Sequence, residues 1–195
     1  PAQAVGDPLA ATAIKVVSNE ESALLITCDI ASTHPELAAH MRVLAGEAAG
    51  VKPENVIINV THTHSAPNCA GQAGWGDVDR PYLEGILIPG AVKAAKEALA
   101  SMQPAEFAVV CGESEVGVNR REITVDGKSG FGQNFWGPQD KTMTIIRFRN
   151  IETKKGIFQF IHYGCHGTAA GCNREITRDW SGVMVDIVAR ETKVL

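Results

Sequence analysis

Nowhere does the sequence offer the roughly 20 consecutive apolar residues that a membrane-crossing helix needs, so no transmembrane segment is expected. A basic excess is lacking too: 18 Lys and Arg stand against 22 Asp and Glu, interspersed along 195 residues, for a formal net charge of -4. Without a basic stripe nothing is placed to neutralise a phosphate backbone, and nucleic acid is not an expected partner. Cysteine is sparse and odd in number, five in all without a CxxC pair, which argues against the disulfide framework of a small secreted domain. The opening PAQAVGDPLA carries neither the basic nor the apolar stretch of a secretory leader. A mature exported chain would share that pattern, so the compartment stays open. Internal repeats and low-complexity linkers are also missing, and the length suits one domain, residues 1–195, with its own core.

What is present reads as an α/β fold with mixed, largely antiparallel sheet layers covered by helices. Ala13 to Val17 and Leu24 to Ile30 are short, apolar and partly β-branched, and the polar turn Ser18-Asn19-Glu20-Glu21 joins them as a hairpin. From Pro35 the spacing changes to Leu37, Met41, Leu44 and Ala48 on one helical face, with Ser32 or Thr33 placed to cap and Gly50 to stop it. A strand over Asn55 to Thr61 follows, then a helix from Pro81 to Met102 that Pro89-Gly90 should kink or split. Glu106 to Val118, Lys141 to Arg149 and Gly156 to Tyr163 read as strands, with a turn at Val125-Asp126-Gly127-Lys128. A last helix carries Trp180, Val183, Met184, Ile187 and Val188 on one face. The sequence stops at Lys193-Val194-Leu195 with no capping glycine, and is read as an incomplete part of a larger domain.

The chemistry concentrates at the ends of apolar strands. Val56, Ile58 and Val60 share the buried parity of their strand, and two further steps of that parity reach His62 and His64. Extended backbone would hold those two Cα atoms about 6–7 Å apart with both imidazoles facing one way, able to converge on one metal ion. A bare HxH pattern is as often a pair of satisfied histidines, but a second element adds weight. Tyr163-Gly164-Cys165-His166-Gly167-Thr168 again leaves an apolar strand for a small-residue loop, which makes His166 a candidate third ligand. His162 sits within the strand body and reads as packing or as a support to a ligand. Cys69, Cys165 and Cys172 offer a closed structural zinc site with histidines as a lesser reading, since their spacing is uneven and small buried side chains are their plainer role. Arg120 and Arg121 close a strand where a guanidinium can hold a carboxylate or an oxyanion, a solvated surface pair being the plainer reading of each. Asp179 heads the last helix, where capping alone would explain it.

Taken in order, Thr61-His62-Thr63-His64-Ser65-Ala66-Pro67, Val118-Asn119-Arg120-Arg121 and Cys165-His166-Gly167-Thr168-Ala169 resemble the THTHSGP, NINRS and THGTS blocks of the neutral/alkaline ceramidase family. The opening GDPLAATAIKV and the segment Gly50 to Asn59 are similar to that family's early strands. The resemblance implies a zinc-dependent hydrolase of linear amide bonds, in which zinc-bound water attacks the carbonyl of an N-acylsphingosine or related N-acyl lipid. It implies that His62 and His166 bind Zn2+, that His64 handles protons beside the metal, and that Arg120 contacts substrate or oxyanion. The family's glutamate and tyrosine ligands have no counterpart here, so this stretch alone is expected to be inactive. Ala66 replaces the family's glycine, and Ala169-Ala170-Gly171-Cys172-Asn173 replaces its asparagine-rich stretch. Two other readings stand beside this one: a different metal-dependent hydrolase, an esterase or phosphoesterase, or a non-catalytic metal-binding module. The resemblance implies a small-molecule or lipid amide partner and says nothing of oligomeric state.

Overall fold

The computed structural model describes residues 2–194; Pro1 and Leu195, the two ends of the sequence, lie outside them. The fold is α/β with mostly antiparallel pairing, and the chain divides into two compact units. The first comprises Pro1–Gln103 and Gly167–Ala189, the second Pro104–His166 and Arg190–Leu195.

In the first unit, β2 (Ala11–Ser18) and β3 (Glu21–Cys28) form the expected hairpin, turning through Asn19 at φ 55°. Helix α1 (Pro35–Ala49) then crosses over so that β4 (Val56–Val60) lies parallel to β3, giving the order β2-β3-β4. Two corrections concern α1. Its cap is His34, whose Nδ1 accepts the Leu37 amide proton at 3.2 Å, and not Ser32 or Thr33. Its buried stripe runs through Leu37, Met41, Ala45, Gly46 and Ala49, with Leu44 and Ala48 only at the margin. Close approach demands a small residue at Gly46: a Cβ there would stand 2.6 Å from the carbonyl oxygen of Val51 in the following loop and 3.2 Å from Cγ2 of Val56 on β4. Gly50 ends the helix in the left-handed conformation, φ 63°, where only glycine carries no Cβ penalty.

The second long helix forms in three pieces. A single α-turn α2 (Arg80–Tyr82), capped by the Asp79 carboxylate, widens into a π-turn over Leu83–Leu87 before α3 (Ile88–Ala100). The break thus falls just ahead of Pro89, whose ring cannot fit against the preceding turn of a regular α-helix. Leu24, Ile26, Cys28 and Ile30 pack with Leu37, Met41, Val56, Leu83, Leu87 and the alanines of α1 and α3 into one buried core. Burial raises the Cys28 thiol to about 12, the Asp29 and Cys69 charges adding to it, and raises the Cys69 thiol to about 11. A short parallel pair, β1 (Ala4–Val5) with β10 (Glu175–Ile176), and helix α4 (Asp179–Thr192) belong here as well, except for the last residues of α4. The apolar face foreseen on α4 is only partly covered: Trp180, Met184 and Val188 are half-buried, Val183 and Ile187 are exposed, and it is Asp179, Ser181 and Gly182 that are buried.

In the second unit, β5 (Ala105–Glu113), β8 (Thr142–Asn150) and β9 (Gly156–Tyr163) form an antiparallel sheet in the order β5-β8-β9. Between β5 and β8, β6 (Asn119–Ile123) and β7 (Ser129–Asn134) make a separate hairpin turning at Val125-Asp126-Gly127. The strand expected over Glu106 to Val118 therefore ends at Glu113, and Arg120-Arg121 opens a hairpin instead of closing a strand. His162 is exposed on β9 opposite Thr144 and does not pack into a core.

Candidate metal centre

The parallel pairing of β3 and β4 brings both carboxyl ends to one edge, Cys28 opposite Val60. Beyond the strands the two chains continue side by side, with the Thr61 amide donating to the Cys28 carbonyl at 3.1 Å and the His62 amide to the Ile30 carbonyl at 3.1 Å. The edge beyond the carboxyl ends of parallel strands is where α/β folds build sites. Asp29 stands there, buried, accepting from the Ala10 amide at 3.0 Å and the Thr61 hydroxyl at 3.0 Å. Burial pushes its carboxyl above the usual carboxylate value despite those hydrogen bonds.

His62 and His64 converge, by a different route from strand parity. The strand stops at Val60, and His62 takes φ 61°, a left-handed conformation uncommon outside glycine, asparagine and aspartate. Its Nδ1 meets the Ala31 carbonyl oxygen at 2.5 Å. A carbonyl only accepts, so Nδ1 carries the proton and Nε2 presents its lone pair, the orientation a backbone carbonyl gives a metal-binding histidine. That Nε2 lies 3.3 Å from Nε2 of His64, the rings crossing at 90°. Thr63 between them points the other way. It is wholly buried, and its hydroxyl donates to the Thr177 carbonyl at 2.7 Å while accepting the Ser65 amide at 3.2 Å. The exposed ring of His64 rests edge-on against Trp75, centroids 4.9 Å apart, in the glycine-rich loop that precedes α2.

The second histidine-bearing loop is pinned to the first by backbone. Thr63 and Gly167 form a parallel bridge, and the His64 amide donates to the Gly167 carbonyl at 3.1 Å. Glycine is required at 167 because a Cβ would stand 2.5 Å from the His62 carbonyl oxygen and 3.1 Å from Cα of Thr63. One peptide bond before that bridge sits His166, and ligand nitrogens of His62, His64 and His166 lie within 4.8 Å of one another. The three imidazoles that the strand ends suggested as ligands thus lie together, whereas the family resemblance implied His62 and His166 as ligands with His64 handling protons. No cysteine joins the group among the described residues, and Cys28, Cys69, Cys111 and Cys172 are free thiols. Arg120 is exposed on β6 of the second unit.

The donor set fits a metal. A tetrahedral ion with nitrogens at 2.0–2.1 Å has edges of about 3.3–3.4 Å, and the two Nε2 atoms already stand at 3.3 Å. Imidazole is a common ligand for zinc, copper, iron and nickel, so the set suits a transition metal.

Two carboxylates whose partners the sequence did not disclose hold this arrangement. Asp179, foreseen as a helix cap, is buried at φ 59° and accepts from the Ala169 and Ala170 amides at 2.9 and 2.8 Å. Asp7 accepts from the Arg178 amide at 3.1 Å and from Arg178 Nε at 2.7 Å. The Arg178 guanidinium also reaches Asp186 at 2.6 Å. Burial alone would raise the Asp7 carboxyl, but hydrogen bonds from Thr177 and Arg178 and the Arg178 charge together hold it below its ordinary value. The motif GDP near the N-terminus was the only signal for Asp7, and nothing in the pattern named its partner.

Within this α/β fold, the three imidazoles are a group that could hold a metal ion. No protein-family model matches the chain, and no curated protein matches it. Among solved structures it is similar to the neutral ceramidase from Pseudomonas aeruginosa, with a TM-score of 0.68 at 20% identity, covering 89% of this chain and 29% of that one. It is similar too to a ceramidase complexed with C2, with a TM-score of 0.71 at 20% identity, covering 90% of this chain and 28% of that one. The fold is that of a ceramidase segment, and the chain spans less than a third of the length of either neighbour.

Proposed function

We propose that this chain supplies the histidine side of a zinc-dependent amide hydrolase acting on an N-acylsphingosine or related N-acyl lipid. The observation that carries the reading is the convergence of His62, His64 and His166 within 4.8 Å on a ceramidase-type fold. Zinc, when bound, lowers the pKa of water towards about 7 and polarises a carbonyl, so amide hydrolysis needs no nucleophilic side chain. The protein's own part is to present lone pairs and to exclude the wrong tautomer. His62 does so through its Nδ1–H to Ala31, while His166 is held beside the bridged Gly167.

In this proposal His62 and His166 are the metal ligands. His64 either takes a third position or moves a proton at Nε2, and Arg120 contacts the substrate or its developing oxyanion.

Calorimetric titration of the metal-free 195-residue chain with zinc, alongside turnover of a fluorogenic N-acyl amide, tests it. The expected result is one weakly held zinc per chain with poor or no turnover, since each ligand short of a full set removes affinity and aim. Absence of zinc binding, or binding unaffected by loss of the histidines, would refute it.

A further inference from the structure

The side chain of Asp179 makes no ordinary helix cap. A capping carboxylate accepts from amides two or three residues ahead in its own helix. The two oxygens of Asp179 instead reach back ten and nine residues in sequence: Oδ1 takes the Ala169 amide at 2.9 Å and Oδ2 the Ala170 amide at 2.8 Å, with the Trp180 amide also on Oδ1 at 2.7 Å. Asp179 as a whole is buried, 4% exposed, and held at φ 59°. Its own amide donates to the Thr177 hydroxyl at 2.8 Å.

The neighbouring residues of this segment are tied elsewhere. The Thr177 carbonyl accepts from Thr63, and the Thr177 amide donates to the Ser65 carbonyl at 3.1 Å. Residues 177–179 therefore grip the His62–His64 loop with one end and the loop that follows His166 with the other. Residues 167–170 are thus fixed at one end by the Thr63–Gly167 bridge and at the other by the Ala169–Ala170 clamp, and His166 directly precedes that segment.

We infer that Asp179 is a positioning residue for the metal centre, its carboxylate setting the height and direction of the loop that carries His166. The inference rests on the proposed metal-binding role of that histidine. Two hydrogen-bonded oxygens are needed, because an amide side chain must turn its NH2 group towards at least one backbone N–H and lose that bond. Residues that orient ligands from behind in this way commonly change metal affinity by about 10–100-fold.

The test uses Asp179→Asn, which tolerates the left-handed backbone and keeps the side-chain shape. Zinc affinity is measured by competition with a chromophoric chelator on the 195-residue chain, and the visible spectrum of the cobalt-loaded protein reports coordination geometry. Asp126→Asn, in the β6–β7 turn, serves as the control. The expected result is a zinc affinity about 10–100-fold weaker with altered cobalt bands for Asp179→Asn, and wild-type behaviour for the control. Equal affinity and an unchanged cobalt spectrum in Asp179→Asn would overturn the inference while leaving the metal centre standing. Loss of all zinc binding in the wild type would overturn both. Should Asp179→Asn fail to fold, amide exchange in the wild type decides the matter. By the reciprocity of coupled equilibria, zinc must slow exchange at Ala169 and Ala170 if the clamp and the site are linked, and rates unchanged by zinc would overturn it.

Discussion

Gly167 lies so close to His62 that a single methyl group at the glycine would stand 2.5 Å from the histidine's carbonyl oxygen. That contact is what lets the two histidine loops share a backbone bridge. Gly167→Ala is therefore expected to force the loops apart, costing about 1–3 kcal/mol as overpacking does in a tight interior. Urea unfolding of metal-free protein would register the loss, and zinc affinity should fall with it. Wild-type stability in the variant would mean that the loops are not held in contact in solution.

The three imidazoles are expected to act on one ion. His62→Ala and His166→Ala should each weaken zinc binding by more than the roughly 10–100-fold seen when supporting residues are lost, and should leave the stoichiometry of residual binding at one or below. His64→Ala separates its two roles. A drop of the same size makes His64 a ligand, whereas near-normal affinity with impaired turnover makes it a proton carrier. Calorimetry on the three variants distinguishes them.

Thiol reactivity should divide by burial. The Cys28 thiol, pushed up to about 12, and that of Cys69, pushed up to about 11, are buried in the first unit, whereas Cys111 and Cys172 are exposed. The thiolate is the reactive form. An aromatic disulfide reagent at about pH 8 should label Cys111 and Cys172 quickly, and Cys28 and Cys69 only after denaturant is added. Mass mapping of the labelled peptides checks the assignment.

Much of the site was legible because the relevant signals are local. Alternation over Val56, Ile58 and Val60 marked the strand, and the strand's end marked the histidines. What alternation could not show is that the backbone turns left-handed at His62, because one residue's φ there is decided by contacts to Ala31 and Gly167, distant in sequence. The same limit applies to Asp179 and Asp7. A carboxylate before a helix is read as a cap when its partners are amides of another loop, and Asp7 finds Arg178 across 171 positions. Val183 and Ile187 of α4 were misread for the opposite reason: spacing reports a possible stripe and not which side of the helix meets a neighbour.

Arg120 carries the prediction that depends most on the proposed chemistry. If its guanidinium contacts the substrate or the oxyanion, Arg120→Lys exchanges a planar fork for a point charge. Wherever turnover of an N-acyl amide is measured for this protein, the variant should lower kcat/KM by about tenfold or more. An unchanged value would assign Arg120 to the surface of the β6–β7 hairpin alone.

The ion pair between Asp7 and Arg178 makes a prediction about pH. The Asp7 carboxyl is held below its ordinary value, because hydrogen bonds from Thr177 and Arg178 and the Arg178 charge together outweigh the opposing effect of burial. A carboxyl whose folded value is lowered binds protons more readily in the unfolded chain. Its contribution is therefore complete above the unfolded value of about 3.9 and disappears as pH falls through the lowered folded value. Asp7→Asn should consequently cost about 1.5–3 kcal/mol at neutral pH, the range for hydrogen bonds to charged groups. The gap between variant and wild type should narrow steadily in increasingly acidic buffer. Arg178 keeps its second partner, Asp186, at 2.6 Å in either protein, so the variant does not strand a bare charge and should still fold. Urea unfolding of both proteins across that range gives the comparison directly. A gap that stays constant into strongly acidic buffer would show that the Asp7 carboxylate contributes shape alone, and that its charge does not anchor the segment joining the two histidine loops.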